Sequence, residues 1–297
     1  MAPKLTLAGT FTALVTPFRA DGSLDLESLA KHVEWQIASG IDGLVPCGST
    51  GESATLSHEE HVRVVRHVVE VASKRVPVIA GTGSNSTREA IELTQAARSA
   101  GADAALLISP YYNKPTQEGI YQHYLAVARE GGLPALPYNI PGRTASRLEP
   151  ETIGRLSRVP GLVGIKESGG DLIQTSYALA RSAPGFAFLS GDDALTLPML
   201  ALGASGVIST TANAAPRQMV EIARAARAGD WEKARKAHYA LLPLMEALFL
   251  ESNPIPLKTA LAILGRIPSA ALRLPLTEIS KASRERLEAA LAELPRA

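Results

Sequence analysis

Short apolar runs recur along the chain, and each is followed by a segment whose apolar residues recur at helical spacing. The spacing between runs, roughly 20 to 35 residues, is the length of one strand plus one helix. The runs are FTALVTPF (11–18), DGLVPCG (42–48), PVIAGTG (77–83), AALLISP (104–110), PALPYNIP (134–141), LVGIKES (162–168), FAFLSGDD (186–193) and GVISTT (206–211). Strands that are apolar on both faces and alternate with helices form parallel sheets. Eight such units predict an α/β fold, a closed (β/α)8 TIM barrel.

The segments between the runs carry helix start and stop signals. Ser23 or Asp25 precedes the first helical pattern, and Gly40 follows it. Ser57 and Glu60 have the spacing of a capping box at the start of the second. An open, doubly wound sheet is the alternative arrangement, but the GTGSNS segment lacks the third glycine of a dinucleotide-binding turn. The closed barrel is therefore favoured.

From about residue 216 the pattern stays helical to the end of the chain. The first of these helices completes the barrel, and the remaining ones exceed what a minimal barrel needs. We predict a barrel over residues 1–228 and a C-terminal helical extension over residues 229–297 that packs on it. No linker marks the extension as a separately folding unit.

Composition narrows the classes of function. The 297 residues are 46% hydrophobic and 20% charged, with a net charge of +1, so the chain can build a large core. This balance provides neither the basic surface that binds nucleic acid nor a polybasic membrane patch. No apolar run is long enough to span a bilayer, and the N-terminal stretch has no signal-peptide pattern. The single cysteine, Cys47, favours a reducing compartment, so we expect a cytoplasmic protein.

In a barrel of this kind the active site lies where the strands end. Lys166 ends the sixth apolar run and Tyr138 ends the fifth, so the two side chains are expected on adjacent strands. A lysine at a strand end most often packs its stem on apolar surface and keeps its ammonium group in water. The other interpretation is chemical: desolvation frees an amine to attack a carbonyl and form a Schiff base. A neighbouring tyrosine can then transfer protons.

Two loops and one helix start offer further candidates. The GSTGES segment (48–53) has glycines and hydroxyls suited to a small carboxylate, although a tight turn without a ligand has the same composition. Arg143 follows the fifth run and could bind a second carboxylate, or it is a surface residue. His58 and His61 stand at the start of a helix without a third ligand, so we expect no metal.

Several segments together resemble a known family. GSTGES, PVIAGTG, SPYYNKPTQEG, YNIPGRT, GIKES, LSGDD and ESNPIPLK occur in order from about Gly9 to beyond residue 276. They are similar to the dihydrodipicolinate synthase branch of the pyruvate-dependent Schiff-base lyases, a family that includes N-acetylneuraminate lyase. The resemblance implies that pyruvate forms an enamine on a lysine and adds to L-aspartate 4-semialdehyde. The product, 4-hydroxy-tetrahydrodipicolinate, leads to diaminopimelate and lysine, and no cofactor is needed.

The resemblance also assigns roles. Lys166 is the expected nucleophile, Tyr138 the proton carrier, and Thr50 the link between Tyr138 and Tyr112 in a hydroxyl relay. The expected substrate-binding residues are Ser49, Thr50, Arg143, Gly191 and Ile208. In this family the tyrosine matching Tyr112 enters the neighbouring subunit's site, and tetramers form as dimers of dimers. The positions that match the lysine-binding site of feedback-inhibited relatives are Ser53, Ala54, His58, His61, Asn85, Glu89 and Tyr111.

Some departures from the family pattern leave the second substrate open. Ser49 stands where synthases usually have threonine, KESGGD (166–171) differs from their usual sequence, and Pro137 lies inside a predicted strand. A neuraminate lyase, a 4-hydroxy-2-oxoglutarate-type aldolase and a sugar-acid dehydratase therefore remain alternatives. Arg143 favours the synthase. A catalytically silent barrel is disfavoured because Lys166, Tyr138 and Thr50 are all present.

Overall fold

Eight parallel strands form one sheet in the structure, a computed structural model that describes residues 5–294. They are β1 (Gly9–Ala13), β2 (Gly43–Val45), β3 (Ile79–Gly81), β4 (Ala104–Ile108), β5 (Ala135–Asn139), β6 (Gly164–Glu167), β7 (Ala187–Ser190) and β8 (Gly206–Ser209). The spatial order is β2-β1-β8-β7-β6-β5-β4-β3, and a bridge between Leu44 and Val78 brings β3 back to β2. The predicted barrel is confirmed, and each predicted run contains or overlaps a strand.

The first strand lies earlier in the chain than its apolar run predicts. β1 begins at Gly9 and ends at Ala13, whereas the run covers residues 11–18. Leu14, Val15 and Phe18 are apolar because they are buried outside the strand, at most 1% exposed. Phe18 forms an antiparallel bridge with Leu24 in the following loop. An apolar run therefore reports burial here rather than strand length.

Twelve α-helices lie in the described part of the chain. They are α1 (Leu26–Ala38), α2 (His58–Ala72), α3 (Thr87–Ser99), α4 (Gln117–Glu130), α5 (Pro141–Thr144), α6 (Pro150–Leu156), α7 (Leu172–Arg181), α8 (Thr196–Ala201), α9 (Pro216–Arg227), α10 (Trp231–Ala247), α11 (Ile255–Ile263) and α12 (Lys281–Ala292). Asp25, rather than Ser23, caps α1. The capping box of Ser57 and Glu60 is present at α2. Such caps each contribute about 1 kcal/mol to helix stability.

The core has an inner and an outer layer. Inside the barrel, side chains that include Phe11, Ile79 and Leu136 fill the space between the strands. A larger cluster packs the outer faces of the strands against the surrounding helices. Filled barrels of this kind have no central channel, so ligands bind at the strand ends.

The C-terminal extension shares a core with the barrel. Val15 and Val207 of the barrel belong to the same buried cluster as Leu241 of α10, Leu257 of α11 and Leu287 of α12. The extension therefore packs on the barrel, while the division at residues 228 and 229 stays a prediction. The outer ends of the two predicted units, residues 1–4 and 295–297, lie outside the described residues. Between residues 5 and 294, no helix is long and apolar enough to cross a membrane.

Candidate active site

Tyr138 and Lys166 face each other across two neighbouring strands. They are direct partners in the parallel pairing of β5 with β6, and each is only 6% exposed. The Nζ atom of Lys166 lies 4.2 Å from the centre of the Tyr138 ring. Burial of the amine removes the water that normally solvates it. The expected pair of a lysine and a tyrosine on adjacent strands is present.

A glycine after β7 leaves room for the lysine side chain. A Cβ atom on Gly191 would lie 2.6 Å from Cε of Lys166 and 2.1 Å from Oγ of Ser168. These distances are shorter than non-bonded contacts allow. The Gly191 N–H donates to the carbonyl of Glu167 at 2.8 Å, which fixes the loop against β6. A larger residue at position 191 would therefore displace the side chains of Lys166 and Ser168.

Asn139 and Glu167, which follow Tyr138 and Lys166 in the chain, hold the ends of β5 and β6 together. Nδ2 of Asn139 lies 3.1 and 3.0 Å from the two carboxylate oxygens of Glu167. The Asn139 carbonyl accepts from the Ser168 N–H at 2.8 Å. Burial raises the pKa of Glu167, and the hydrogen bond from Asn139 opposes that effect. This clamp restricts the relative movement of Tyr138 and Lys166.

We call residues 48–53, which follow β2, the substrate loop. Its Ser49–Gly51 portion forms one 3₁₀ turn, and Thr16 Oγ1 donates to the Gly51 carbonyl at 2.7 Å. Thr50 is buried, and its Oγ1 accepts from Nδ2 of Asn253 at 2.8 Å. Because Asn253 is the donor, the Thr50 hydroxyl hydrogen remains free to donate elsewhere. Thr50 is thus placed to supply a hydrogen bond to a ligand.

Arg143 lies at the exposed mouth of the barrel on the short helix α5. Its Nη2 donates to the Asn253 carbonyl at 3.3 Å. Asn253 therefore contacts both Thr50 and Arg143. Asn253 lies in the ESNPIPLK segment (251–258). Its contact partners are far away in the chain, so local sequence patterns assigned it no role.

These groups surround a cavity of about 80 Å³. Lys166, Tyr138, Ser49, Thr50, Arg143 and Gly191 line it, with Ala13, Val45, Cys47, Gly48, Ser53, Gly81, Gly83, Leu106, Ile108, Ile140, Thr210, Phe249 and Asn253. Ile208 is not among the lining residues and lies fully buried in β8. The structure therefore brings together most of the residues that the sequence proposed for substrate binding.

Tyr112 is the candidate that this single chain does not bring to the cavity. Its side chain is 88% exposed and its φ is 72°, a left-handed value that is uncommon for a residue with a side chain. Tyr111, beside it, is 38% exposed. Within this chain, Tyr112 is therefore a surface residue and contributes nothing to the cavity around Lys166.

A second cavity, of about 430 Å³, adjoins the first. Ser53, Ala54, His58, His61, Glu89 and Tyr111 line it, and Asn85 donates from Nδ2 to the Tyr111 carbonyl at 3.2 Å. Eight residues line both cavities: Cys47, Ser49, Ser53, Gly81, Gly83, Ile108, Arg143 and Asn253. All seven residues proposed for a lysine ligand are therefore at or beside one space.

The second cavity is lined by ionisable groups of both signs: the carboxylates of Glu52 and Glu89, the guanidinium of Arg143, and the imidazoles of His58 and His61. Hydrogen bonds from Ser84 and His58 lower the pKa of Glu89, and burial partly offsets them. The distance from His58 Nε2 to Glu89 Oε1 is 2.9 Å. His61 is buried, which lowers its pKa, and its Nε2–H donates to the Gly81 carbonyl at 2.7 Å. Within residues 5–294, no group of three His, Cys, Asp or Glu residues is placed to hold a metal ion.

A (β/α)8 barrel that buries a lysine and a tyrosine together in its mouth has the arrangement of a Schiff-base-forming enzyme. The sequence model of the dihydrodipicolinate synthetase family matches residues 6–294. The chain therefore belongs to this family and is an enzyme of it.

Individual relatives agree with this membership. The 4-hydroxy-tetrahydrodipicolinate synthase of Nitratidesulfovibrio vulgaris is 53% identical over 289 residues, which cover 97% of this chain and 98% of that protein. The pyruvate complex of the chloride-inhibited synthase of Acinetobacter baumannii is 48% identical, with a TM-score of 0.95 and coverage of 97% and 99%. The synthase of Cyanidioschyzon merolae with lysine bound is 40% identical, with a TM-score of 0.93 and coverage of 97% and 98%.

Proposed function

We propose that the enzyme condenses pyruvate with L-aspartate 4-semialdehyde to give 4-hydroxy-tetrahydrodipicolinate and water, in diaminopimelate and lysine biosynthesis. The observation that carries this proposal is the buried contact between Lys166 and Tyr138, with Nζ 4.2 Å from the ring centre. Relatives of more than 50% identity that are named as this synthase support the choice of substrates.

The reaction begins when the neutral Lys166 amine attacks the C2 carbonyl of pyruvate. Loss of water gives an iminium ion, and loss of a methyl proton gives an enamine. The enamine carbon adds to the aldehyde carbon of the semialdehyde, and the new alkoxide takes up a proton. The amine of the second substrate then attacks the imine carbon, closes the ring and releases Lys166. Tyr138 is the group best placed to carry these protons.

The other residues bind and orient the substrates. Thr50 has a free hydroxyl hydrogen for the relay toward Tyr138, and Ser49 and Thr50 offer donors to the pyruvate carboxylate. Arg143 at the mouth of the cavity binds the carboxylate of the semialdehyde. Gly191 makes room for the lysine-bound intermediate, and Ile208 supports the cavity from β8.

We further propose that the enzyme is a tetramer, a dimer of dimers, in which Tyr112 enters the partner's site. The exposure of Tyr112 and its left-handed backbone support this assignment, because an exposed aromatic side chain gains stability when a partner buries it. The buried, unpaired Cys47 suits a reducing compartment, so we propose a cytoplasmic location.

The second cavity is proposed to bind L-lysine as a feedback inhibitor. Glu89 offers a carboxylate to an ammonium group, and His58 lies beside it. Since eight residues line both cavities, a ligand in one contacts residues that form the other. The lysine-bound relative supports this choice of ligand.

A coupled assay with pyruvate and L-aspartate 4-semialdehyde tests the proposed reaction. Wild-type protein should turn over, and Arg143→Ala should raise KM for the semialdehyde by about 10- to 100-fold, because it removes a charge-assisted contact. Arg155→Ala, which removes an exposed arginine paired with Glu118, should behave as wild type. No turnover, with a borohydride-trapped pyruvate adduct still forming, would assign the chain to another pyruvate-dependent branch of the family.

A further inference from the structure

A second buried lysine lies under the substrate loop. Lys258 of α11 has a fully buried side chain, and its Nζ lies 2.5 Å from Oε1 of Glu52, which is also buried. The same Nζ donates to the Ala271 carbonyl at 2.8 Å and lies 4.0 Å from the centre of the Phe18 ring. The mechanism above gives this ion pair no chemical step.

The other carboxylate oxygen of Glu52 is also held by the C-terminal extension. The Arg273 N–H donates to Oε2 of Glu52 at 3.1 Å. The Arg273 guanidinium group donates to the Thr55 carbonyl at 2.8 Å and to both carboxylate oxygens of Glu60. Two segments more than 200 residues away in the chain thus fix the side chain of Glu52 in place.

Glu52 closes the turn that presents the hydroxyl groups of the substrate loop. Its φ is 52°, a left-handed value, and its N–H donates to the Ser49 carbonyl at 3.1 Å. Its carbonyl accepts from the N–H and the Oγ1 of Thr55. A residue with a side chain adopts this backbone only where its surroundings enforce it. At Glu52 those surroundings include contacts to both carboxylate oxygens, from Lys258 Nζ and from the Arg273 N–H.

We propose that Lys258 is a positioning residue for pyruvate binding: through its ion pair with Glu52, it holds Ser49 and Thr50 in the geometry that receives the keto-acid carboxylate. This inference rests on the proposed function of the Lys166 site. Lys258 itself is sealed beneath the loop and does not touch the cavity around Lys166.

The burial of the pair argues for a directional role. Removing two charges from water is costly, and apolar residues of similar volume stabilise a core at least as well. What an ion pair adds is a fixed direction and distance between two backbone segments. Burial lowers the pKa of Lys258 to about 8, and the Glu52 carboxylate opposes that shift. Burial alone therefore disfavours the ammonium form of Lys258, and the contact with Glu52 favours it.

The test measures the pyruvate concentration that gives half-maximal borohydride-trapped adduct, which needs no second substrate. Lys258→Met removes the ammonium group, and Lys258→Met with Glu52→Gln removes it without leaving an unpaired carboxylate. Both variants should raise the half-saturating concentration by about tenfold, because a displaced loop weakens carboxylate binding. The matched control is Lys233→Met, which removes an exposed lysine 3.4 Å from Glu221 and should leave the value unchanged.

The outcomes separate the two hypotheses. If wild-type protein forms no adduct on Lys166, the proposed function fails, and this inference fails with it. If wild-type forms the adduct and the folded variants saturate at the wild-type concentration, the positioning role alone is overturned. If Lys258→Met does not fold, the variant with both Lys258→Met and Glu52→Gln tests the positioning role. Its melting temperature and its adduct saturation are measured on the same sample. A melting temperature near wild type together with weakened saturation supports the proposal.

Discussion

Tyr138 and Lys166 are direct partners in the β5–β6 register, and the lysine Nζ lies 4.2 Å from the centre of the tyrosine ring. Two neighbouring strands therefore fix the separation of the nucleophile and the proton carrier. The next pair in the register, Asn139 and Glu167, joins the same strands through side-chain hydrogen bonds. The reacting groups are positioned by rigid elements rather than by loops, which favours reproducible geometry.

Replacing the tyrosine hydroxyl should separate binding from proton transfer. Tyr138→Phe keeps the ring packed beside Lys166 but removes the proton carrier. We expect kcat to fall by about 10²- to 10⁴-fold. Pyruvate should still form a trapped adduct, only more slowly, and Lys166→Ala should form none. A Tyr138→Phe enzyme with wild-type kcat would show that another group carries the proton.

Gly191→Ala should block the lysine without removing any reactive group. The added Cβ would lie 2.6 Å from Cε of Lys166, so the lysine must move. A displacement of about 1 Å can reduce the rate by about 100-fold, measured here as the rate of adduct formation with pyruvate. Gly142→Ala is the control, because nothing lies within 4 Å of its new Cβ. Equal rates in the two variants would contradict the steric argument.

The proposed insertion of Tyr112 into a partner can be tested by mixing inactive variants. Tyr112→Phe lacks the relay hydroxyl and Lys166→Ala lacks the nucleophile, so each should be nearly inactive alone. Denaturing and refolding them together should restore activity, because in a mixed dimer one site receives both an intact lysine and an intact tyrosine. A mixture no more active than its components would mean that each chain completes its own site.

Feedback inhibition should depend on the carboxylate of Glu89. Glu89→Gln removes the negative charge beside His58 and should weaken L-lysine inhibition by about 10-fold or more, while kcat without lysine stays near wild type. Glu92→Gln, on the exposed side of the same helix, should keep normal inhibition. If millimolar lysine leaves wild-type turnover unchanged, the proposed ligand is wrong.

The protein should lose stability as the pH falls from about 6.5 toward 4. Burial lowers the pKa of His32 from 6.5 to about 4, and the nearby Arg266 adds to this effect. Burial lowers the pKa of His123 to about 4 as well. In this pH range the unfolded imidazoles bind protons that the folded ones do not, so the free energy of unfolding decreases on acidification.

Chemical denaturation at several pH values measures this slope. The shift at His32 corresponds to about 3 kcal/mol at full protonation. His32→Gln keeps an N–H donor toward Oδ1 of Asn213, which His32 Nε2 contacts at 3.0 Å, but does not titrate. The variant should therefore show a shallower loss of stability, and an unchanged slope would assign the effect to other groups.

Local patterns predicted the parts of the fold that local physics determines. The alternation of apolar runs with helical segments gave the barrel, and the Ser57–Glu60 spacing gave a helix start. The predicted end of β1 was wrong, because Leu14 and Phe18 are apolar residues that pack into the core after the strand has ended. A pattern that registers burial cannot tell a strand from the buried loop that follows it.

The missed residues of the site come from contacts between distant parts of the chain. Asn253 meets Thr50, and Lys258 meets Glu52, across more than 200 residues. No sequence periodicity relates positions so far apart. From the sequence alone, the charge of Lys258 suggests a surface residue. Only the fold shows that the extension helps to build the site.

The ring of strands closes between β2 and β3. β2 and β3 pair at Leu44 and Val78, and two backbone hydrogen bonds join the segments there: the Leu44 N–H donates to the Pro77 carbonyl at 3.0 Å, and the Gly81 N–H donates to the Pro46 carbonyl at 2.9 Å. The loops above this joint line both cavities, and Ser53 and Glu89 lie on opposite sides of it. A molecule that contacts both sides adds its binding free energy to closure of the ring. Slower exchange of the Leu44 and Gly81 amide hydrogens would record its presence.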